Sequence, residues 1–576
     1  MNRPFYFIVR CNPIVDCCNF QFIQSSVMRV TYLSLVFFIG LSIAVHGQVT
    51  FTSSNLPIVV INTYGQEIVD DPKIEADMGI IHNAPGVRNN LTDPFNNYSG
   101  KIGIEIRGSS SQSFPKKQYG IELVDVNGNG VEASLLGMPA EEDWVLFAPY
   151  NDKSLMRDVL AYRLARDQGR YAPRTKYCEV VLNGEYMGIY VLIEKIKRDK
   201  NRVDINKLEP DEITGNNLTG GYIIKIDKAT GSGGDGWAST FPPPLRSGDQ
   251  QVNFLYEAPK PEDIVIEQKQ YIQQYMSGFE ASLAGPDFAD PVNGYAKYID
   301  AASFIDYFII NEMSKNVDGY RISTFLHKKR DSDGGKIYMG PVWDYNLGFG
   351  NADYCTSGTT DGFVLEFNSI CPGDWWLIPF WWDRLQDALV FREQLASRWV
   401  SLREGPYQTS TIHAYIDSVA NVLNAESQQR NFTRWPVLGQ YVWPNYYVGP
   451  TFQSEVDWLK EWMTDRLDWL DVHIPGLVTA ANEKDVEFMS FSAYPNPFTS
   501  KFQIEYEIVS AGKVSISLLD VFGNIKVSST LVHDIPGKFS YQVELPELVA
   551  GVYVVRAQAN VRPALVRRVV KGESGH

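Results

Sequence analysis

The chain has 576 residues, 44% of them hydrophobic and 21% charged, with a formal net charge of -16. This composition suits roughly two to four globular domains and excludes a mostly disordered chain. No basic excess is present to neutralise phosphates along a nucleic acid, and the seven histidines and six cysteines form no HExxH or CxxC pattern, so nucleic-acid binding and zinc chemistry are both set aside.

Met28-Arg29, the apolar stretch Tyr32 to Val45 and the small residue Gly47 before Gln48 read as a signal peptide over residues 28–47, with 1–27 a mis-chosen start. The apolar run is too short and wrongly flanked for a stable membrane span, and no later segment reads as transmembrane. Cys11, Cys17 and Cys18 then precede the mature start. The apolar runs Leu56 to Ile61 and Ile102 to Ile106 read as strands. Arg107-Gly108-Ser109-Ser110-Ser111 is followed by Phe114-Pro115-Lys116-Lys117-Gln118-Tyr119. Its small residues could approach phosphate oxygens, and a lysine on the next strand could reach them. Lys117 is in phase with Tyr119, Ile121 and Leu123, whereas Lys116 points the other way, so Lys117 is the favoured partner. The run lacks the GxxxxGK[ST] spacing of a Walker loop, and a solvated basic turn is the alternative.

Asp152 to Gln168 predicts a helix, with Asp152 as cap, Leu155, Val159, Tyr162 and Leu164 as its apolar face, and Gly169 as its stop. Lys176–Leu182 and Tyr186–Ile193 flank Asn183-Gly184, a strong hairpin signal. Cys178 reads as a buried strand residue. Gly231 to Gly236 and Pro242-Pro243-Pro244 mark a loop or lid. Helical patterns follow at Ala301–Met313 and Leu385–Leu402, and Arg466 to Leu470 closes the last helix. Strands first and helices later argue for an α+β domain rather than a doubly wound sheet.

Two acids stand out within this region. Asp318 follows the helix ending near Met313, and Asp344 lies in Val342-Trp343-Asp344-Tyr345-Asn346-Leu347-Gly348-Phe349-Gly350. Between them, Thr324–His327 and Lys336–Met339 predict a hairpin over Asp333-Gly334-Gly335. A hairpin returns its two ends to one place, which is what phosphoryl transfer requires of two carboxylates: one orients the attacking hydroxyl and one holds magnesium. The competing reading is an ordinary Asp-Gly turn and a capping aspartate. Cys355 and Cys371 bracket a loop and are either disulfide partners in an oxidising compartment or two free thiols. The aromatic cluster Trp375-Trp376, Phe380-Trp381-Trp382 and Trp435 reads as core or groove lining, with sugar stacking as the alternative.

Residues 475–489 read as a linker, and 490–576 change texture. Alternating segments at Phe502–Tyr506, Val514–Leu518, Tyr541–Leu545 and Val552–Val555 predict a small Ig-like β-sandwich. Tyr494-Pro495-Asn496-Pro497-Phe498, Gly551-Val552-Tyr553-Val554-Val555-Arg556 and Arg567-Arg568-Val569-Val570-Lys571 resemble the type A C-terminal sorting domain of the type 9 secretion system. That resemblance implies handling by the type 9 machinery and a place on the cell surface or outside the cell.

Five ordered blocks between residues 55 and 474 resemble the CotH family of atypical protein kinases. They are Arg107 to Ser110 with Pro115 to Tyr119, Asp143 to Leu146 with Asp152 to Asp158, Asn183 to Glu194, Asn316 to Lys328, and Val342 to Gly350. The resemblance implies a diverged, two-lobed protein-kinase-like fold over 48–474 that binds ATP with Mg2+ (or Mn2+) and phosphorylates Ser/Thr of a protein substrate. Asp318 then stands for the catalytic acid, Asp344 for the metal-binding acid of a DFG-like element, and Lys117 for the phosphate-pairing lysine. Arg157 is offered inward by an αC-like helix, Glu194 lies near the hinge, and Lys225 is a further candidate of unassigned role. Ser323 stands where many relatives have a metal-binding asparagine, and Asn346 where many have a second acid. Each replacement removes charge or donor strength from a hard-cation site. A non-catalytic surface-binding protein on the same scaffold, or a carbohydrate-interacting one, remains the alternative.

Overall fold

The computed structural model describes residues 49–228, 235–479, 488–508, 512–520, 524–533, 535–559 and 565–572. The expected leader, the first three cysteines, most of the Gly-rich loop and the middle of the expected linker lie outside the described residues.

The early apolar runs alternate, and alternation on a twisted sheet lets it close. Strands β1 (Ile58–Asn62), β2 (Ile74–Ile81), β3 (Tyr98–Arg107), β4 (Gln118–Val124), β5 (Asp143–Phe147), β6 (Thr175–Leu182) and β7 (Glu185–Glu194) form a barrel in the order β1-β2-β3-β4-β5-β7-β6. A parallel β1–β6 pair completes the circle, which leaves no open edge. Ile102, Ile104, Ile121, Leu123, Trp144 and Leu192 fill the interior. The β6–β7 hairpin turns at Asn183 and Gly184, both left-handed (φ 51° and 82°), as a two-residue loop requires.

Helix α1 (Arg157–Asp167) packs under the barrel. It starts later than the sequence pattern suggests, because Leu155 is left-handed (φ 62°) and residues before Arg157 form a turn. Asp152 still caps it: its carboxylate accepts from the Arg157 amide at 2.8 Å and the Ser154 amide at 3.1 Å. It also forms a fully buried ion pair with Arg157. Arg157→Met is expected to destabilise the chain by about 3–5 kcal/mol in denaturant titration, since it strands a buried carboxylate.

The second half of the main domain is a five-stranded antiparallel sheet wrapped by helices. Strands β8 (Tyr222–Ile226), β9 (Gly236–Ala238), β10 (Asn253–Ala258), β11 (Thr324–Lys328) and β12 (Ile337–Met339) lie in the order β9-β10-β8-β11-β12. Around them pack α2 (Ile266–Ala284), α3 (Ala301–Ser314), α4 (Trp381–Asp387), α5 (Leu389–Arg403), α6 (Thr409–Asn424), α7 (Ser427–Arg434) and α8 (Phe452–Thr479). The helix expected over 385–402 is two helices, separated where Ala388 turns extended. The last helix does not close at Leu470. It runs through Pro475 to Thr479 because Ile474 is buried and Leu477 packs on the core, so 475–479 belongs to the domain and not to a linker. Trp381 and Trp382 are fully buried and Trp435 nearly so, which makes them core.

Cys355 and Cys371 form a disulfide with Cα atoms 5.9 Å apart, and Cys178 is a buried thiol in β6. Opening the disulfide with Cys355→Ser is expected to cost about 3 kcal/mol, the loop-closure scale for this spacing, in unfolding compared with and without reductant.

The C-terminal strands β13 (Phe488–Tyr494), β14 (Lys501–Ile508), β15 (Gly512–Asp520), β16 (Ile525–His533), β17 (Gly537–Glu544), β18 (Gly551–Ala559) and β19 (Leu565–Lys571) form two sheets, β13-β14-β17 and β16-β15-β18-β19. Phe502, Ile504, Ile516, Leu518 and Val555 share one core. Asn496 explains why the early Pro-rich motif and the final basic strand occur together. Its side chain donates to the Arg568 carbonyl at 2.9 Å and accepts from the Val570 amide at 2.8 Å.

Candidate active site

Helix α3 ends in a left-handed Lys315 (φ 44°), which turns the chain into the Asp318 loop. Gly319 is needed there, since a Cβ would lie 2.5 Å from Asn311 Oδ1. Beneath the loop, buried Glu312 accepts from the Tyr320 hydroxyl (3.0 Å) and from the amides of Val364 (2.8 Å) and Leu365 (3.1 Å). It also faces Arg466, which donates to the Glu312, Thr360 and Gly362 carbonyls. The Asp318 loop thus stands on a rigid, fully buried polar base.

The β11–β12 hairpin returns the chain to this loop, and Asp318 and Asp344 meet. Asn316 joins their segments: its Oδ1 accepts from the Asp318 amide (3.3 Å) and its Nδ2 donates to the Asp344 carbonyl (3.4 Å). Asp344 is left-handed (φ 64°), as are Tyr320, Ser323 and Phe349 nearby, a local strain of the kind found where geometry serves chemistry. Asp344 is exposed to solvent, yet surrounding protein displaces much of the hydration of its carboxylate. Burial pushes its pKa up to about 6, the Asp318 charge adds to the rise, and Arg107 opposes it.

A third carboxylate joins this pair. Asp227 follows β8 directly, and the register Ile226↔Thr324 places it opposite Ser323. Desolvation raises its pKa, while Lys225 and the amides of Lys228 and Ser323 pull it down. Asp158, in the first turn of α1, lies behind Asp344. Its Oδ1 accepts from the Tyr345 amide at 2.6 Å, while burial and the Asp344 charge hold it well above the usual carboxylate range. Tyr162, one turn further along α1, accepts from the Asp344 amide at 3.2 Å. The sequence reading missed Asp227 and Asp158. The signals were an acid at the end of the apolar run Tyr222 to Ile226, and an acid beside the favoured Arg157.

Arg107 and Lys228 are the cations that act on Asp344. Arg107 lies over the Trp343 ring at 5.5 Å and Lys228 over the Trp376 ring at 4.8 Å. The two lysines expected for phosphate are committed elsewhere. Lys116 is buried and donates to the Ile189 carbonyl (2.6 Å) and Asn431 Oδ1 (2.9 Å), pinning β7 to α7. Burial lowers its pKa to about 7. Lys117 donates to the Gln112 carbonyl at 2.5 Å. Both precede β4, which begins at Gln118, so strand phase does not govern them.

Other expected site residues are structural. Arg157 pairs with Asp152 and reaches the Phe349 carbonyl at 3.4 Å, tying α1 to the segment after Asp344. Glu194 is fully buried, and a single guanidinium nitrogen of Arg174 donates to both of its oxygens, at 2.9 and 3.0 Å. Lys225 pairs with Glu257 at 2.8 Å beside Asp227. Ser323 meets the cluster through its amide. Asn346 donates to Asn151 Oδ1 at 3.3 Å, within an amide network that includes Asn351 and Asn445. Among the described residues, the close carboxylate trio Glu141, Glu142 and Asp143 is bridged by the Lys197 ammonium at 2.7–3.1 Å.

A family description, CotH kinase protein, matches residues 104–470, well over half of the chain and the whole of this site. The chain belongs to the CotH kinase protein family. A second description, the secretion system C-terminal sorting domain, matches residues 492–571 of this CotH-family chain. The sorting domain marks it for type 9 secretion handling and for export to the cell surface or beyond. Among the described residues no helix is long and apolar enough to cross a membrane. No curated protein matches. One solved structure that does, a beta-glucosidase from Listeria innocua in complex with glucose, is 15% identical over 15% of this chain and 16% of its own, with a TM-score of 0.13. That likeness is too slight to carry an argument about fold or substrate.

Proposed function

We propose that this exported chain is a protein kinase of diverged two-lobed, kinase-like architecture, with the barrel as one lobe and the helical half as the other. It transfers the ATP γ-phosphate to serine or threonine of a protein substrate. The observation that carries this reading is the meeting of Asp318, Asp344 and Asp227 in one cleft with Arg107 and Lys228. A set of hard oxygen donors with a surplus of negative charge suits Mg2+ or Mn2+. Desolvation raises the pKa of both Asp344 and Asp227, and the Asp318 charge adds to the rise at Asp344, so a cation would relieve both carboxylates and the residues present fit it.

Asp344 and Asp227 would hold the metal, which when bound neutralises phosphate charge. Arg107 and Lys228 take the place assigned to Lys117 and bind phosphate oxygens. Asp318 accepts the proton of the attacking hydroxyl, and Arg321 fixes its orientation, donating to Oδ1 at 2.8 Å. Arg321 is itself held by Asp374 at 3.1 Å and by the Val317 and Trp376 carbonyls. Asn346 and Ser323 contribute a neutral amide network and a backbone amide. Catalysis on this plan is positioning plus electrostatics, as phosphoryl transfer demands.

The test is incubation of the purified chain with γ-labelled ATP and Mg2+ or Mn2+, with the chain itself and a serine-rich basic protein as acceptors. Metal-dependent labelling of serine or threonine is the expected result. Absence of both labelling and metal-dependent ATP binding would sink the proposal in favour of a surface-binding protein.

A further inference from the structure

A cavity of about 210 Å³ lies behind α1, away from the acid cluster. None of Asp318, Asp344 or Asp227 lines it. Its walls come from the end of α1 (Ala165, Gln168), from Ile310 of α3, and from Tyr338 to Val342 at the end of β12. An apolar cavity of about 150 Å³ is enough to take up benzene, so this one has room for a ring and a small substituent. Tyr171, Tyr307 and Tyr338 supply aromatic wall. The lining includes exposed Asp204 and half-buried Lys329, so the cavity communicates with solvent.

Its charge is net positive. Arg170, Arg202 and Lys329 line it, against Asp204 and Asp306. Asp306 is already paired twice, with Arg170 at 2.7 Å and Arg398 at 2.8 Å. His327 also lines the cavity, and burial holds its pKa down to about 4, so it adds no charge near neutrality. Lys329 makes no ion pair among the described residues, and its ammonium lies over the Tyr338 ring at 5.0 Å. Arg202 is only 3% exposed, and its Nε is buried without a hydrogen-bond partner among the described residues. Its terminal nitrogens are engaged by the Pro139 carbonyl at 2.9 Å, Asp199 at 3.2 Å and Glu194 at 3.3 Å. The Arg202 side chain is wholly buried and Arg170 is paired with Asp306, so among the described residues Lys329 is the wall cation left to meet an anion.

We infer that this cavity is a binding site for a small aromatic carboxylate, with the ring against the tyrosine-lined wall and the carboxylate held by Lys329. The site is also placed to influence the acid cluster. Pro341 and Val342 in its wall lead directly to Trp343 and Asp344, and α1 carries Asp158 at its other end. The inference does not rest on the phosphotransfer reading, because its test measures binding alone.

The experiment is saturation-transfer NMR and calorimetry on the whole chain with benzoate as probe and benzyl alcohol and acetate as controls. Benzoate is expected to bind more tightly than either control. Lys329→Ala, at a half-buried position that leaves the fold intact, is expected to weaken benzoate by about tenfold or more, the scale of one charged hydrogen bond. Lys329→Arg should restore most of that loss. No transfer to benzoate, equal binding of benzyl alcohol, or full binding by Lys329→Ala would each overturn the assignment.

Discussion

Asp344→Asn is expected to abolish metal-dependent nucleotide binding while the chain stays folded. The carboxylate stands beside Asp318 and Asp227, and burial together with the Asp318 charge raises its pKa to about 6. Asparagine keeps the shape and removes the charge that a hard cation needs. The pH dependence has a definite sign. The folded-state pKa is about 6 against an ordinary 3.8, so the folded chain holds this proton more tightly than the unfolded one. Without metal, the contribution of Asp344 to stability therefore falls as pH rises from about 4 through about 6. In Asp344→Asn that component of the slope disappears. Mg2+ or Mn2+ acts in the opposite sense, since it binds the deprotonated form. Added metal should raise the melting temperature of the parent chain more at pH 7.5 than at pH 5, and have no such effect on Asp344→Asn. Thermal melts at both pH values with and without metal measure this directly. An unchanged metal response in the variant would remove Asp344 from the metal site.

Asp318→Ala is expected to cut turnover by about two to four orders of magnitude, the usual scale for a lost acid–base group, while nucleotide binding persists. Arg321 keeps Asp374 and two carbonyls as partners, so the loss of Asp318 does not strand a buried cation. A second effect follows from the charge coupling. Asp318 raises the pKa of Asp344, so Asp318→Asn should shift the pH midpoint of metal-dependent nucleotide binding downward. Binding titrations across pH 4–8 read this independently of catalysis. A fall in turnover without the midpoint shift would mean that the two carboxylates do not share a site.

The meeting of these two acids is partly legible in the sequence. The pairing of Asp318 with Asp344 followed from a hairpin whose two strands are local in sequence and whose turn, Asp333-Gly334-Gly335, announces itself. The disulfide between Cys355 and Cys371 was one of two readings, and geometry chose it. Burial assigns Trp381, Trp382 and Trp435 of the aromatic cluster to the core, whereas Trp375 is exposed, because the same aromatic residues serve cores and ligands and only burial distinguishes them. The leader and the middle of the linker lie outside the described residues.

The sequence by itself determined what local pattern controls: the Asn183-Gly184 hairpin, the hairpin over Asp333-Gly334-Gly335, and the motifs that place the chain in its family and mark it for export, whereas the later strands Tyr222–Ile226 and Asn253–Ala258 interrupt the expected order of strands first and helices later. Tertiary structure alone decided which charges meet. Arg157 reads as a residue offered into the cleft but is spent on Asp152, because a buried charge must take whatever partner the packing brings within reach. Asp227 with Lys228, Asp158 and Arg107 reach Asp344 from three separate parts of the chain, and long-range convergence of that kind leaves no periodicity in the sequence to read.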